Sequence, residues 1–172
     1  MKDEPRALGD RCRAIEYLVL DVDGVLTDGS IVYSDDGREW KRFHVRDGAA
    51  LVWWARTGKR AAFLTSRQST AVDIRAAELR IDRVVQGALD KGEAYQRLLE
   101  ETGLRAGQVC AVGDDLPDLA VLGACGLPVA VADACPEVRA LAAYVAQARG
   151  GHGAVREVVE MILGCQGLWP PI

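Results

Sequence analysis

The chain has 172 residues, a formal charge of −4 and 49% hydrophobic residues, enough apolar mass for one packed core in the size range of a single domain. A pI near 5.2 argues against a dominant electrostatic grip on nucleic acid and leaves anionic small molecules open as substrates. The five cysteines (Cys12, Cys110, Cys125, Cys135, Cys165) form no CxxC or Cys/His cluster, so neither a disulfide framework nor a zinc site is signalled, and a reducing cytosol fits.

In chain order, the start MKDEPRALGDRCRAIEY is polar and without an apolar h-region, and residues 1–14 are expected to be an extension. No stretch approaches the ~20 uncharged residues of a membrane span, so no membrane partner is expected. YLVLDV reads as the first strand. SIVYSDDGREWKRFHV alternates over two arms around Asp35, Asp36 and Gly37, which predicts an antiparallel β-hairpin inserted at about 29–44. RDGAALVWWARTG follows at helical spacing and ends at Gly58, with Trp53 and Trp54 as packing residues.

Strand and helix then alternate. RAAFLTS, DRVVQG, QVCAVGDD and LPVAVAD read as strands, separated by STAVDIRAAELRI with Ser69 as its cap, KGEAYQRLLEETG ending at Gly103, and PDLAVLGACG beginning with Pro117. GAVREVVEMILGC is the closing helix, and QGLWPPI is too short and Pro-rich for an element of its own. The expectation is an α/β fold with a mostly parallel sheet flanked by helices, one domain over 15–164 and a tail over 165–172.

In such sheets ligands gather at the carboxyl ends of the strands. Asp21 and Asp23 end the first strand, Thr65 and Ser66 the second, Asp114 and Asp115 the fourth, and Lys91 opens the helix after the third. Carboxylates converging without nitrogen or sulfur ligands suit a hard ion such as Mg²⁺, which relieves their mutual repulsion. Beside hydroxyls and an ammonium, such a site suits phosphoryl transfer, with one aspartate attacking phosphorus and a second serving as acid and base. Lys91 at a helix start opposes the macrodipole, which favours an anion-binding role over a merely structural one.

DVDGVLTD (21–28), LTSR (64–67), Lys91 and GDDLPD (113–118), in that order, resemble the four motifs of the haloacid dehalogenase superfamily. The resemblance implies a Rossmann-like sheet of that superfamily's type, with Asp21 as nucleophile, Asp23 as general acid/base, and Thr65 and Lys91 as phosphate binders. It also implies Mg²⁺ held by Asp21, the backbone carbonyl of Asp23 and Asp114, with Asp115 and Asp118 as supporting residues one layer further out.

From Ile15 to Gly167 the chain is similar to the 3-deoxy-D-manno-octulosonate 8-phosphate phosphatases, capless members of that superfamily, through FHVRDGAAL, VGDDLPDLAVL and RGGHGAVREVVEMIL. One departure is Thr65-Ser66-Arg67, where the family has Thr-Gly-Arg. Arg67 is a candidate for contact with the substrate's carboxylate or sugar, and Arg46 for a substrate contact made across a subunit interface. Ser66 stands as a turn donor or substrate contact, Asp47 as a helix N-cap or substrate contact, and His44 as structural.

The 37 residues between Thr27 and Thr65 are used up by one hairpin and one helix, leaving no room for a cap domain. A neighbouring subunit is then the natural shield, the hairpin its contact, and the resemblance implies a homotetramer with active sites at subunit interfaces. A nine-carbon keto-sugar acid 9-phosphate phosphatase is the rival enzyme reading. A catalytically silent oligomerisation module is the rival from another class.

Overall fold

The structure, a computed structural model, describes residues 7–170. Eight strands and seven α-helices follow one another: α1 (Leu8–Ala14), β1 (Tyr17–Leu20), β2 (Val32–Tyr33), β3 (Glu39–Trp40), α2 (Val45–Arg56), β4 (Arg60–Leu64), α3 (Thr70–Leu79), β5 (Arg83–Val85), α4 (Lys91–Thr102), β6 (Val109–Gly113), α5 (Leu119–Ala124), β7 (Leu127–Ala130), α6 (Pro136–Leu141), β8 (Tyr144–Val145) and α7 (Ala154–Cys165).

Six strands make one sheet in the order β5-β4-β1-β6-β7-β8, every pair parallel. β1 lies between β4 and β6, and its four residues Tyr-Leu-Val-Leu are all buried, as a strand covered on both faces requires. From β1 the chain steps outward through β4 to β5, then crosses to β6 and steps the other way through β7 to β8. Right-handed crossovers therefore place α2 and α3 on one face and α5 and α6 on the other. Accordingly α2 packs on α7 and α3, while α5 packs on α4 and α6. The reversal falls between the carboxyl ends of β1 and β6, where a ligand crevice opens in sheets of this kind.

The hairpin forms where alternation placed it, with Val32 opposite Trp40 and Tyr33 opposite Glu39. Three elements lie outside the sequence reading. Leu8–Ala14 is helical within the expected extension, with Cys12 buried and α1 packed on α7. α6 and the two-residue strand β8 are too short to carry a period. Of the tail, residues 171–172 lie outside the described residues; Trp169 packs edge-to-face on Trp53 of its own chain at 5.2 Å, and the Arg156 guanidinium lies over both rings, 4.1 Å from Trp53 and 4.9 Å from Trp169.

Candidate active site

Asp21 follows directly on β1, its amide still donating to the Val112 carbonyl of β6 at 3.1 Å. The chain then winds around the buried Thr27. Its hydroxyl donates to the Val22 carbonyl (3.3 Å) and accepts from the Gly29 amide (3.2 Å). Gly24 adopts φ +98° and lies against Asp114; a Cβ there would fall 2.5 Å from the Asp114 Cγ. From below, Gly151 donates its amide to the Val25 carbonyl and Gly150 to Asp133. The glycine-rich loop before α7 therefore braces the loop that follows β1, and these two amides are not aimed at a ligand.

Lys91 opens α4, and its buried ammonium donates to Asp21 Oδ1 and Asp118 Oδ1, both at 2.7 Å. Asp118 also accepts the Asp114 amide on its other oxygen (3.0 Å), so it ties the β6 loop to the lysine. Thr65 extends β4, with its amide on the Val85 carbonyl, and its hydroxyl accepts the Arg67 amide at 3.2 Å.

These elements enclose a cleft of about 150 Å³ whose walls include Asp21, Asp23, Thr65, Ser66, Arg67, Lys91, Asp114, Asp115 and Asp118. Two of the expected residues lie elsewhere. Asp47 is buried and accepts the Gly153 amide (3.2 Å) and the Arg156 amide (2.8 Å), which places it as a cap on α7. Arg46 is exposed on the first turn of α2. His44 lies 3.9 Å from Asp47 and faces that cap, and His152 Nδ1 is 2.8 Å from its own loop's Gly150 carbonyl.

Asp21, Asp114 and Asp118 bring carboxylate oxygens within 4.8 Å of one another, the one such acidic group among the described residues. Burial first, then the charge of Asp118, raises Asp21 to about 6 even with Lys91 opposing it. Burial and the Asp21 charge push Asp114 up to about 8. Oxygen donors that repel one another in a dry setting fit a hard divalent cation. Asp118 is already engaged by Lys91 and two amides, which leaves Asp21 and Asp114 as the freer donors. The Asp23 carboxylate is turned elsewhere, one oxygen paired with Lys41 and the other accepting from Thr65 Oγ1 at 3.4 Å.

Sequence reasoning missed Lys41 and Glu39. The signal was present: Tyr33 and Glu39 are a cross-strand pair, and Lys41 stands two residues after Glu39, so all three belong to one face of the alternating hairpin. That face meets Asp23 and Arg67, since Arg67 donates to Glu39 (3.3 Å) and to the Tyr33 hydroxyl (3.4 Å).

The sequence profile of haloacid dehalogenase-like hydrolases matches residues 60–158. The 3-deoxy-D-manno-octulosonate 8-phosphate phosphatase KdsC of Escherichia coli is 43% identical over 153 residues, covering 89% of this chain and 81% of its own. The crystal structure of the phosphatase of that name from Moraxella catarrhalis, in complex with a magnesium ion, a phosphate ion and KDO, superposes with a TM-score of 0.93. It is 38% identical, with 95% of this chain and 94% of that one covered. The cobalt-bound phosphatase from Haemophilus influenzae gives 0.89 at 37% identity, covering 93% and 95%.

Proposed function

Because this chain belongs to the haloacid dehalogenase-like hydrolases, in the family of the 3-deoxy-D-manno-octulosonate 8-phosphate phosphatases, it is a phosphatase, and we propose that its own substrate is the octulosonate 8-phosphate. The observation that carries the reading is the cleft in which Asp21, Asp23, Thr65, Lys91 and Asp114 converge, in a chain that matches this family along most of its length.

In the proposed mechanism, Lys91 and the Thr65 hydroxyl hold the phosphoryl oxygens, and a carboxylate oxygen of Asp21 attacks phosphorus in line with the departing sugar oxygen. Lys91 already bonds one Asp21 oxygen, which fixes the carboxylate plane and supports its ionised form. Asp23 protonates the sugar oxygen as the old bond breaks. It then takes a proton from the water that cleaves the aspartyl-phosphate. Asp21, Asp114 and the Asp23 carbonyl would hold Mg²⁺, with Asp118 orienting the loop. The bound ion would offset the negative charge that gathers on the phosphoryl group.

Arg67 is proposed to meet the substrate carboxylate, its guanidinium held at the cleft rim by the hairpin, and Ser66 lines the same cleft. The exposed apolar residues of the hairpin favour a partner surface, and the proposed assembly is a homotetramer in which subunits cover one another's clefts, with Arg46, exposed on α2, reaching a neighbouring cleft. Phosphate release from the octulosonate 8-phosphate and from a nine-carbon 9-phosphate, with Mg²⁺ and with chelator, tests the assignment. Strong, metal-dependent preference for the octulosonate is expected, and Asp21→Asn should abolish it. Equal efficiency on simple sugar phosphates would sink the specific substrate.

A further inference from the structure

The Lys41 side chain is 1% exposed although it directly follows a two-stranded hairpin whose Val32, Tyr33 and Trp40 are open to solvent. Its ammonium is shared between Asp23 Oδ1 and Glu39 Oε1, the latter at 2.9 Å. A buried ammonium with two carboxylate partners is both neutralised and fixed in place. Glu39 is fixed in turn: burial alone would raise it, but the charges of Lys41 and Arg67 hold it below its ordinary value. A continuous chain of opposite charges thus runs from Asp23 through Lys41 and Glu39 to Arg67.

We propose that Lys41 is a positioning residue for proton transfer, which locks the Asp23 carboxyl so that Oδ1 is permanently engaged and Oδ2 faces the phosphoryl side. The orientation is given by Thr65, whose hydroxyl lies 3.4 Å from Oδ2 and lines the same cleft. This inference rests on the phosphatase reading. In the first step an Asp21 oxygen–phosphorus bond forms, the phosphorus–sugar oxygen bond breaks, and the proton on Asp23 Oδ2 passes to the departing oxygen. In the second step the deprotonated Asp23 Oδ2 takes a proton from water as the water oxygen bonds to phosphorus and the Asp21 oxygen–phosphorus bond breaks. With Oδ1 held by Lys41 throughout, the carboxyl need not rotate between donating and accepting. An unpinned carboxyl would reach the productive angle for a fraction of the time, at a cost in rate.

A residue that positions an acid is separable from one that merely holds the hairpin, through the leaving group. The sugar alkoxide needs a proton to depart. The p-nitrophenolate of p-nitrophenyl phosphate departs at neutral pH without one. kcat/KM covers the steps up to departure of the alcohol, so it isolates the first transfer. With Mg²⁺ present, Lys41→Met is expected to lower kcat/KM for the octulosonate 8-phosphate by ~100-fold, the scale of general acid catalysis, and for p-nitrophenyl phosphate by under ~5-fold. Lys41→Arg should recover part of the alkyl activity. In an Asp23→Asn background, Lys41→Met should add less than ~3-fold, since the two act as a unit.

Equal losses on both substrates, or a full additional loss in the Asp23→Asn background, would overturn the proposal and reduce Lys41 to a structural tie. Should Lys41→Met fail to fold, Lys41→Gln, which keeps a neutral donor, gives the same two-substrate comparison. A native chain silent on both substrates would refute the phosphatase reading itself, an outcome told apart because it needs no variant.

Discussion

At the residue scale the site is defined by charge held where it is uncomfortable. Asp114 at about 8 and Asp21 at about 6 are both raised from an ordinary 3.8, so without a cation the folded chain keeps protons that the unfolded chain has released. The sign follows: between pH 4 and 8 these groups make the metal-free protein less stable as pH rises. Mg²⁺ must displace the same protons, so its apparent affinity should climb from pH 6 to 8 and level off above. Thermal melts with Mg²⁺ and with chelator should therefore diverge as pH rises; a pH-independent gap would contradict this. Gly24→Ala tests the neighbouring backbone, because positive φ and the Asp114 Cγ at 2.5 Å both reject a Cβ. The expected result is ~10-fold weaker Mg²⁺ binding, measured calorimetrically, on the scale seen when the support of a metal ligand is disturbed. The residues that meet in the cleft were legible because strand ends in an α/β chain announce themselves by an apolar run stopping at Asp or Thr. Lys41 was passed over, since a lysine on a short exposed hairpin reads as solvated, although the alternation puts it on the face of Tyr33 and Glu39 that closes over Asp23.

At the element scale, hydrophobic period and punctuation located the long helices and the central strands, and Gly103 closes α4 at φ +67° as its position suggested. α1 and β8 escaped because seven and two residues carry too little period to stand out, and both exist through packing. Asp47 illustrates the same limit. Its place in the first turn of α2 suggested a cap for that helix, yet its carboxylate caps α7, more than a hundred residues on. Asp47→Ala should leave the first amides of α7 without a partner and cost about 2 kcal/mol, or roughly 4–8 °C in Tm for a chain of this size. KM should be unchanged, since Asp47 does not line the cleft. A raised KM at native Tm would return Asp47 to the substrate.

At the scale of the whole molecule, the hairpin leaves Ile31, Val32, Tyr33 and Trp40 each at least half exposed, with the cross-strand pair Val32 and Trp40 on the face opposite Glu39 and Trp40 65% exposed. Apolar side chains gathered this way on a marginal two-stranded ribbon ask for a partner surface. Trp40→Glu is expected to shift sedimentation toward smaller species; an unchanged profile would remove the hairpin from the proposed tetramer contact. The central place of β1 has a consequence for how the molecule comes into being. Tyr17 pairs with Arg60 on one side and with Val109 on the other, and Val109 follows it by 92 residues. At a synthesis rate of roughly 5–20 residues per second, β1 emerges ~5–20 s before its second neighbour. Through that interval the most apolar strand of the sheet has one open edge on the ribosome, and Asp21 has no Asp114 beside it. The nascent chain thus passes through a stage that is sticky and catalytically inert, and both conditions end together when β6 docks.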